Sequence, residues 1–140
     1  MPSESDLLEA LHAAYNAGDA DKAASLYADD GVHLDVAAGK PKTGRAAITS
    51  GLKHFFAAFP DAHWSADVSA TGDGCVFARY VLTGTLQQDM WSLQAQGQQL
   101  NLPGIQVLEC VDGHIVRSED YWDAGMFQRQ MSTTNAGDSK

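Results

Sequence analysis

Apolar residues recur at helical spacing up to Pro60-Asp61 and alternate with polar residues beyond it. Leu7, Leu8, Leu11, Ala14 and Tyr15 make one helical stripe, which Ser3 or Ser5 can cap and Asn16-Ala17-Gly18 ends. Asp19 can cap a second helix with Ala23, Ala24, Leu26 and Tyr27 on its buried side, broken at Asp29-Asp30-Gly31. A short strand Val32–Val36 and a loop with Gly39 and Pro41 follow. Residues 43–59 are helical again, with Ile48, Leu52, Phe55, Phe56 and Phe59 facing the core.

In the second half, Trp64, Ala66, Val68 and Ala70 alternate with polar residues, and Cys75–Leu86 returns after a Thr71-Gly72-Asp73-Gly74 turn. Gln87–Gln99 reads as a connecting loop. The stretch PGIQVLECVDGHIVRSEDYWD, residues 103–123, predicts two long strands joined at Asp112-Gly113, because both central positions of a type I′ turn need positive φ. Period two puts Val116, Ser118, Asp120 and Trp122 on one face and Ile115, Arg117, Glu119 and Tyr121 on the other. A short helix around Met126–Met131 closes the pattern, and the polar tail from Ser132 is expected to fray. Helices on one face of a curved antiparallel sheet make an α+β cone.

With 140 residues, 44% of them hydrophobic, the chain suits one domain, residues 1–131, followed by the tail 132–140. Its 18 acidic residues against 9 basic ones give a net charge of −9, which opposes nucleic acid and anionic membranes as partners. Cys75 and Cys110 fall in strand-like runs and read as free thiols. The N-terminus has acidic residues where a signal peptide is basic, so a cytoplasmic location is expected.

Chemistry is expected around Asp120. It shares a strand face with Trp122, and apolar surroundings disfavour the ionised carboxylate, which tunes it for proton transfer near neutral pH. His33 and Asp35 alternate on one strand and share a face, so they can join the same pocket. Nothing elsewhere in the sequence completes a metal site around them, and no metal or other cofactor is expected. Arg79 shares a face with Phe77 and Val81 and is expected to pair with Asp120 or Asp35. Among the tryptophans, Trp122 and then Trp64 are candidates for the pocket wall.

The segments YNAGDADKAASLYADDGVHLD, TGRAAI, FPD and VDGHIVRSEDYWDAGMFQRQ resemble the SnoaL-like polyketide cyclase group of the nuclear transport factor 2-like superfamily. The resemblance runs from about Leu7 to Met131 and implies a cone-shaped, cystatin-like α+β barrel, a small hydrophobic ligand, no cofactor and a homodimer formed through the outer sheet face. It implies a cyclase or isomerase in which Asp120 stands at the place of the cyclases' acid/base aspartate. Limonene epoxide hydrolases carry a similar Asp-Tyr-Phe-Asp run, matched here by Asp120-Tyr121-Trp122-Asp123, and Arg79 resembles their arginine. Epoxide opening is thus an alternative, although Val81 replaces their second aspartate. Gln106 falls at the cyclases' pocket glutamine and Leu108 at their pocket histidine. Asp35 stands at the place of the base of ketosteroid isomerases, but Leu11 replaces their oxyanion tyrosine. A pocket with so few polar partners could also serve a non-catalytic binding or dimerising module.

Overall fold

The structure, a computed structural model, describes residues 1–132. The expected polar tail from Ser132 lies, but for that residue, outside them. Two helices open the chain, α1 (Glu4–Asn16) and α2 (Ala20–Ser25). Ser3 accepts from Asp6 N while Asp6 accepts from Ser3 N, a complete capping box, and Asp19 caps α2. The first strand, β1 (Tyr27–Asp35), begins before the acidic pair predicted to break α2. That helix stops at Ser25, and Asp29 and Asp30 lie within the strand.

After β2 (Lys42–Thr43), a short edge strand at the junction of the expected loop and the helix expected from Thr43, comes α3 (Arg45–Ala58). The sheet continues through β3 (His63–Gly72), β4 (Cys75–Thr85), β5 (Gln99–Val111) and β6 (His114–Trp122), and α4 (Ala124–Met131) follows with Asp123 as its cap. Asp112 and Gly113 have φ of 51° and 76°, as a type I′ turn requires.

The six strands form one open, curved sheet in the order β2-β1-β6-β5-β4-β3. Alternation along the chain does not give one of its pairings: β1 runs parallel to β6, so the sheet is mixed. The register sets His33 opposite Ser118 and Asp35 opposite Asp120. Helices α1 and α3 cover the inner face, where Leu11, Tyr27, Phe59, Val76 and Leu108 are fully buried.

Two bulges correct the period-two reading. Glu109 pairs with Arg117 but Cys110 with Ile115, so Val116 is an extra residue and the strand's facing reverses there. Ile115, expected on the outer face, is fully buried in the core. A second irregularity between Ala66 and Val68 turns Val68 outward, 51% exposed. Phe77, Val81, Ile105 and Tyr121 remain exposed on adjacent strands of the outer face.

Candidate active site

The inner face of the sheet, α3, α4 and the loop after β4 enclose a cavity of about 450 Å³. Its wall is mostly aromatic and aliphatic, with Phe55, Trp64, Leu102, Trp122 and Phe127 among the lining side chains. A polar cluster of His33, Asp35 and Asp120 interrupts it, and Lys42, His54, Gln88 and Asp89 add further polar groups to the lining. The volume and the mostly apolar wall suit one small, largely apolar molecule.

The cluster exists because β1 and β6 pair in parallel. His33 Nε2 lies 3.4 Å from Asp35 Oδ2 and 3.8 Å from Asp120 Oδ2. Each member is steadied from behind. Ser118 Oγ sits 2.7 Å from His33 Nδ1 and 2.6 Å from the Tyr27 hydroxyl. Trp122 Nε1 donates to Asp35 Oδ1 at 3.3 Å, and the Tyr80 hydroxyl donates to Asp120 Oδ1 at 2.8 Å. Gln106 Nε2 donates to Asp120 Oδ2 at 3.3 Å.

The two carboxylates titrate apart. Burial pushes Asp120 up to about 6; the charge of Asp35 adds to that rise, while His33, Tyr80 and Gln106 moderate it. Burial also works against the charge on Asp35, but the hydrogen bond and charge of His33 hold it below the ordinary carboxylate range. Burial opposes a charge on His33 too, yet Asp35 and then Asp120 raise its affinity for a proton. Burial keeps the Tyr80 and Tyr27 phenols protonated well past their usual range. The site therefore sets His33 and Asp35, each favouring the charged form of the other, beside a carboxyl group poised to gain or lose a proton near neutrality.

Of the residues singled out from sequence, Asp120, Asp35, His33, Trp122 and Trp64 line the cavity. Gln106 is fully buried behind Asp120, and Leu108 is fully buried in the core without lining the cavity. Arg79 and Phe77 do not reach it. Both point to the outer face, where Phe77 is 43% exposed and Arg79 is bound to Asp67 by hydrogen bonds of 3.0 and 2.9 Å. The expected pairing of Arg79 with Asp120 or Asp35 is thus replaced by an exposed pair with the neighbouring strand. Parity explains the inversion: Val76, Ala78, Tyr80, Leu82 and Gly84 are the buried residues of β4.

Tyr80, Tyr27 and Ser118 are the site residues that sequence reasoning passed over. Ser118 shares the face of Asp120, and Tyr80 sits among the apolar residues opposite Arg79, so strand parity carried the signal for both. Among the described residues, His33, Asp35 and Asp120 form the one group whose ligand atoms, all within 4.8 Å, could hold a metal ion.

A family model, SnoaL-like polyketide cyclase, matches residues 5–131. No curated protein matches the sequence significantly. A solved structure from Xanthomonas campestris pv. campestris, described as that of a candidate polyketide cyclase, is 30% identical, with a TM-score of 0.84 over 92% of this chain and 96% of that one. A second protein so described, from Pseudomonas putida, is 22% identical, with a TM-score of 0.86 over 94% and 100% of the two chains. A Catenulispora acidiphila protein of ketosteroid isomerase-like fold, solved with trimethylamine, shares the fold at 19% identity, with a TM-score of 0.79 over 92% and 94%.

Proposed function

The chain belongs to the SnoaL-like polyketide cyclase family, and from that membership and the geometry of the cavity we propose a cofactor-independent acid/base enzyme. Its substrate is a small hydrophobic carbonyl compound, which it cyclises by an aldol-type step or isomerises. The observation that carries this reading is a carboxyl group at about pKa 6 in the wall of an apolar cavity, 3.8 Å from an imidazole whose proton affinity a second carboxylate raises. Asp120 removes a proton from the carbon beside the carbonyl, and the C–H electron pair moves onto the carbonyl oxygen as an enolate. His33, anchored at Nδ1 by Ser118, shares its Nε2–H between Asp35 and that oxygen. In cyclisation, the enolate carbon attacks a second carbonyl of the same molecule and the new alkoxide takes the proton back from Asp120. In isomerisation, Asp120 returns the proton to a different carbon.

Epoxide opening is the weaker reading, since Arg79, the arginine that it calls for, lies on the opposite face of the sheet. Tests in D2O with aromatic and polycyclic ketones bearing acidic α-hydrogens separate enzyme from binder. Wild type exchanges deuterium into the α-position, and Asp120→Asn slows exchange by ~10²–10⁴-fold with ligand affinity retained. Asp35→Asn costs less. An unchanged rate in Asp120→Asn overturns the assignment. Binding of these ketones without exchange makes the chain a binding module. We further infer that the chain pairs as a homodimer through the exposed apolar residues of β4, β5 and β6.

A further inference from the structure

His12, on α1, is buried at 8% exposure, lies outside the cavity wall and takes no part in the chemistry above. Its ring stacks on Tyr15, 5.8 Å between centroids, and meets Tyr80 edge-on at 6.4 Å. Its Nε2 lies 2.8 Å from Gln106 Oε1. The other end of that carboxamide, Nε2, is 3.3 Å from Asp120 Oδ2 and 3.3 Å from the Tyr15 hydroxyl. One imidazole therefore stands behind both groups that donate to Asp120, Gln106 by a hydrogen bond and Tyr80 by ring contact.

The direction of the chain follows from elementary hydrogen-bond rules. A carboxamide has a donor end and an acceptor end of nearly the same shape, so packing alone does not choose which of them faces Asp120. An ionised carboxylate can only accept, so the amide nitrogen faces it and Oε1 faces His12. Oε1 then needs a donor, which the neutral ring supplies only as the Nε2–H tautomer. Burial lowers the proton affinity of His12, against a smaller opposing effect of Gln106, which favours the neutral ring.

We propose that His12 is a positioning residue for Asp120: as the Nε2–H tautomer it donates to Gln106 and locks the carboxamide with its NH2 group on the carboxylate. The proposal builds on the reading of Asp120 as the proton carrier, but its geometry does not depend on turnover. Without the His12 donor, Gln106 can turn its oxygen toward a protonated Asp120, and the ionised form loses a hydrogen bond. The titratable groups around this chain are Tyr15 on α1, Tyr27 on β1, Tyr80 on β4 and Asp120 on β6, with His33 and Asp35 beyond Asp120. Glu9 and Asp67 line the hollow of about 410 Å³ on the other side of His12.

Imidazole ¹⁵N spectra and a ¹³C titration of the Asp120 carboxyl, recorded on wild type, His12→Leu and His12→Gln, test this. Wild type should show the Nε2–H tautomer. In His12→Leu the Asp120 midpoint should rise by about one pH unit, the loss of one hydrogen bond to a charged group. In His12→Gln, whose amide nitrogen can stand where Nε2 stood, the midpoint should return toward wild type. An Nδ1–H tautomer in wild type overturns the proposal, as does an unmoved midpoint in folded His12→Leu. Should His12→Leu fail to fold, the wild-type tautomer and the His12→Gln midpoint decide. Neither readout uses a substrate, so a failed catalytic assignment of Asp120 leaves them interpretable, and their failure leaves that assignment standing.

Discussion

At Asp120 the catalytic proposal and the stability of the fold pull in opposite directions. The folded protein raises this carboxyl from 3.8 to about 6, so it holds the proton more tightly than the unfolded chain does. The corresponding stability is fully present below about pH 4 and lost as pH rises through about 6. His33, also raised, contributes stability present below its unfolded value of 6.5 and lost as pH rises through its folded one. Asp35, lowered, contributes in the opposite sense: its share is present above 3.8 and lost as pH falls through its folded value. Asp120→Asn removes the first of these and keeps the shape, because the amide can accept from Gln106 and donate to the Tyr80 hydroxyl. This variant should melt several degrees above wild type near pH 8 and within a degree or so of it near pH 4. Scanning calorimetry at the two pH values checks this, and equal melting of the two proteins near pH 8 would show that the buried charge costs nothing.

Among the elements, β5 decides where the Asp120 donors stand. Gly104 faces Tyr80 on β4 and Trp122 on β6, and a Cβ there would lie 2.5 Å from the Tyr80 hydroxyl. The glycine is needed for close approach. Gly104→Ala should cost about 1–3 kcal/mol through overpacking and should push the hydroxyl off Asp120 Oδ1. Thermal melts would measure the first effect and the Asp120 carboxyl midpoint the second. The midpoint should rise, since the ionised form loses a donor. A variant as stable as wild type with an unmoved midpoint would show that Tyr80 has room to spare. The alternation along β6 was legible from Ser118 to Trp122, and the bulge at Val116 was not, because an extra residue leaves no mark on composition.

The whole molecule leaves an apolar band across three strands of its outer face. Phe77 is 43% exposed, Val81 38%, Ile105 40% and Tyr121 44%, on strands that are hydrogen-bonded neighbours. Arg79, paired with Asp67, stands between Phe77 and Val81 on β4 and opposite Ile105, and the half-buried pair Arg117–Glu119 lies beside Tyr121. Apolar side chains interleaved with charges of both signs suit a self-complementary contact. Light scattering should give twice the chain mass of 15.0 kDa at micromolar concentration, and Phe77→Glu should halve it with the fold intact. A wild-type mass of one chain would rule out this use of the face.

By itself the sequence determined most of the element types, the Asp-Gly hairpin and the candidates Asp120, His33, Asp35 and Trp122 that line the cavity, because periodicity and turn chemistry are local and act over a few residues. The resemblance of its motifs pointed to the same aspartate and to the family. Only the tertiary structure decided which residues share the site. Asp35 and Asp120 stand 85 positions apart and meet through the parallel register of β1 on β6, a long-range pairing that local periodicity does not encode. Arg79 was assigned to the wrong side because period two relates the residues of one strand to each other but does not say which set faces inward; burial of Tyr80 and Leu82 against the helices settled that.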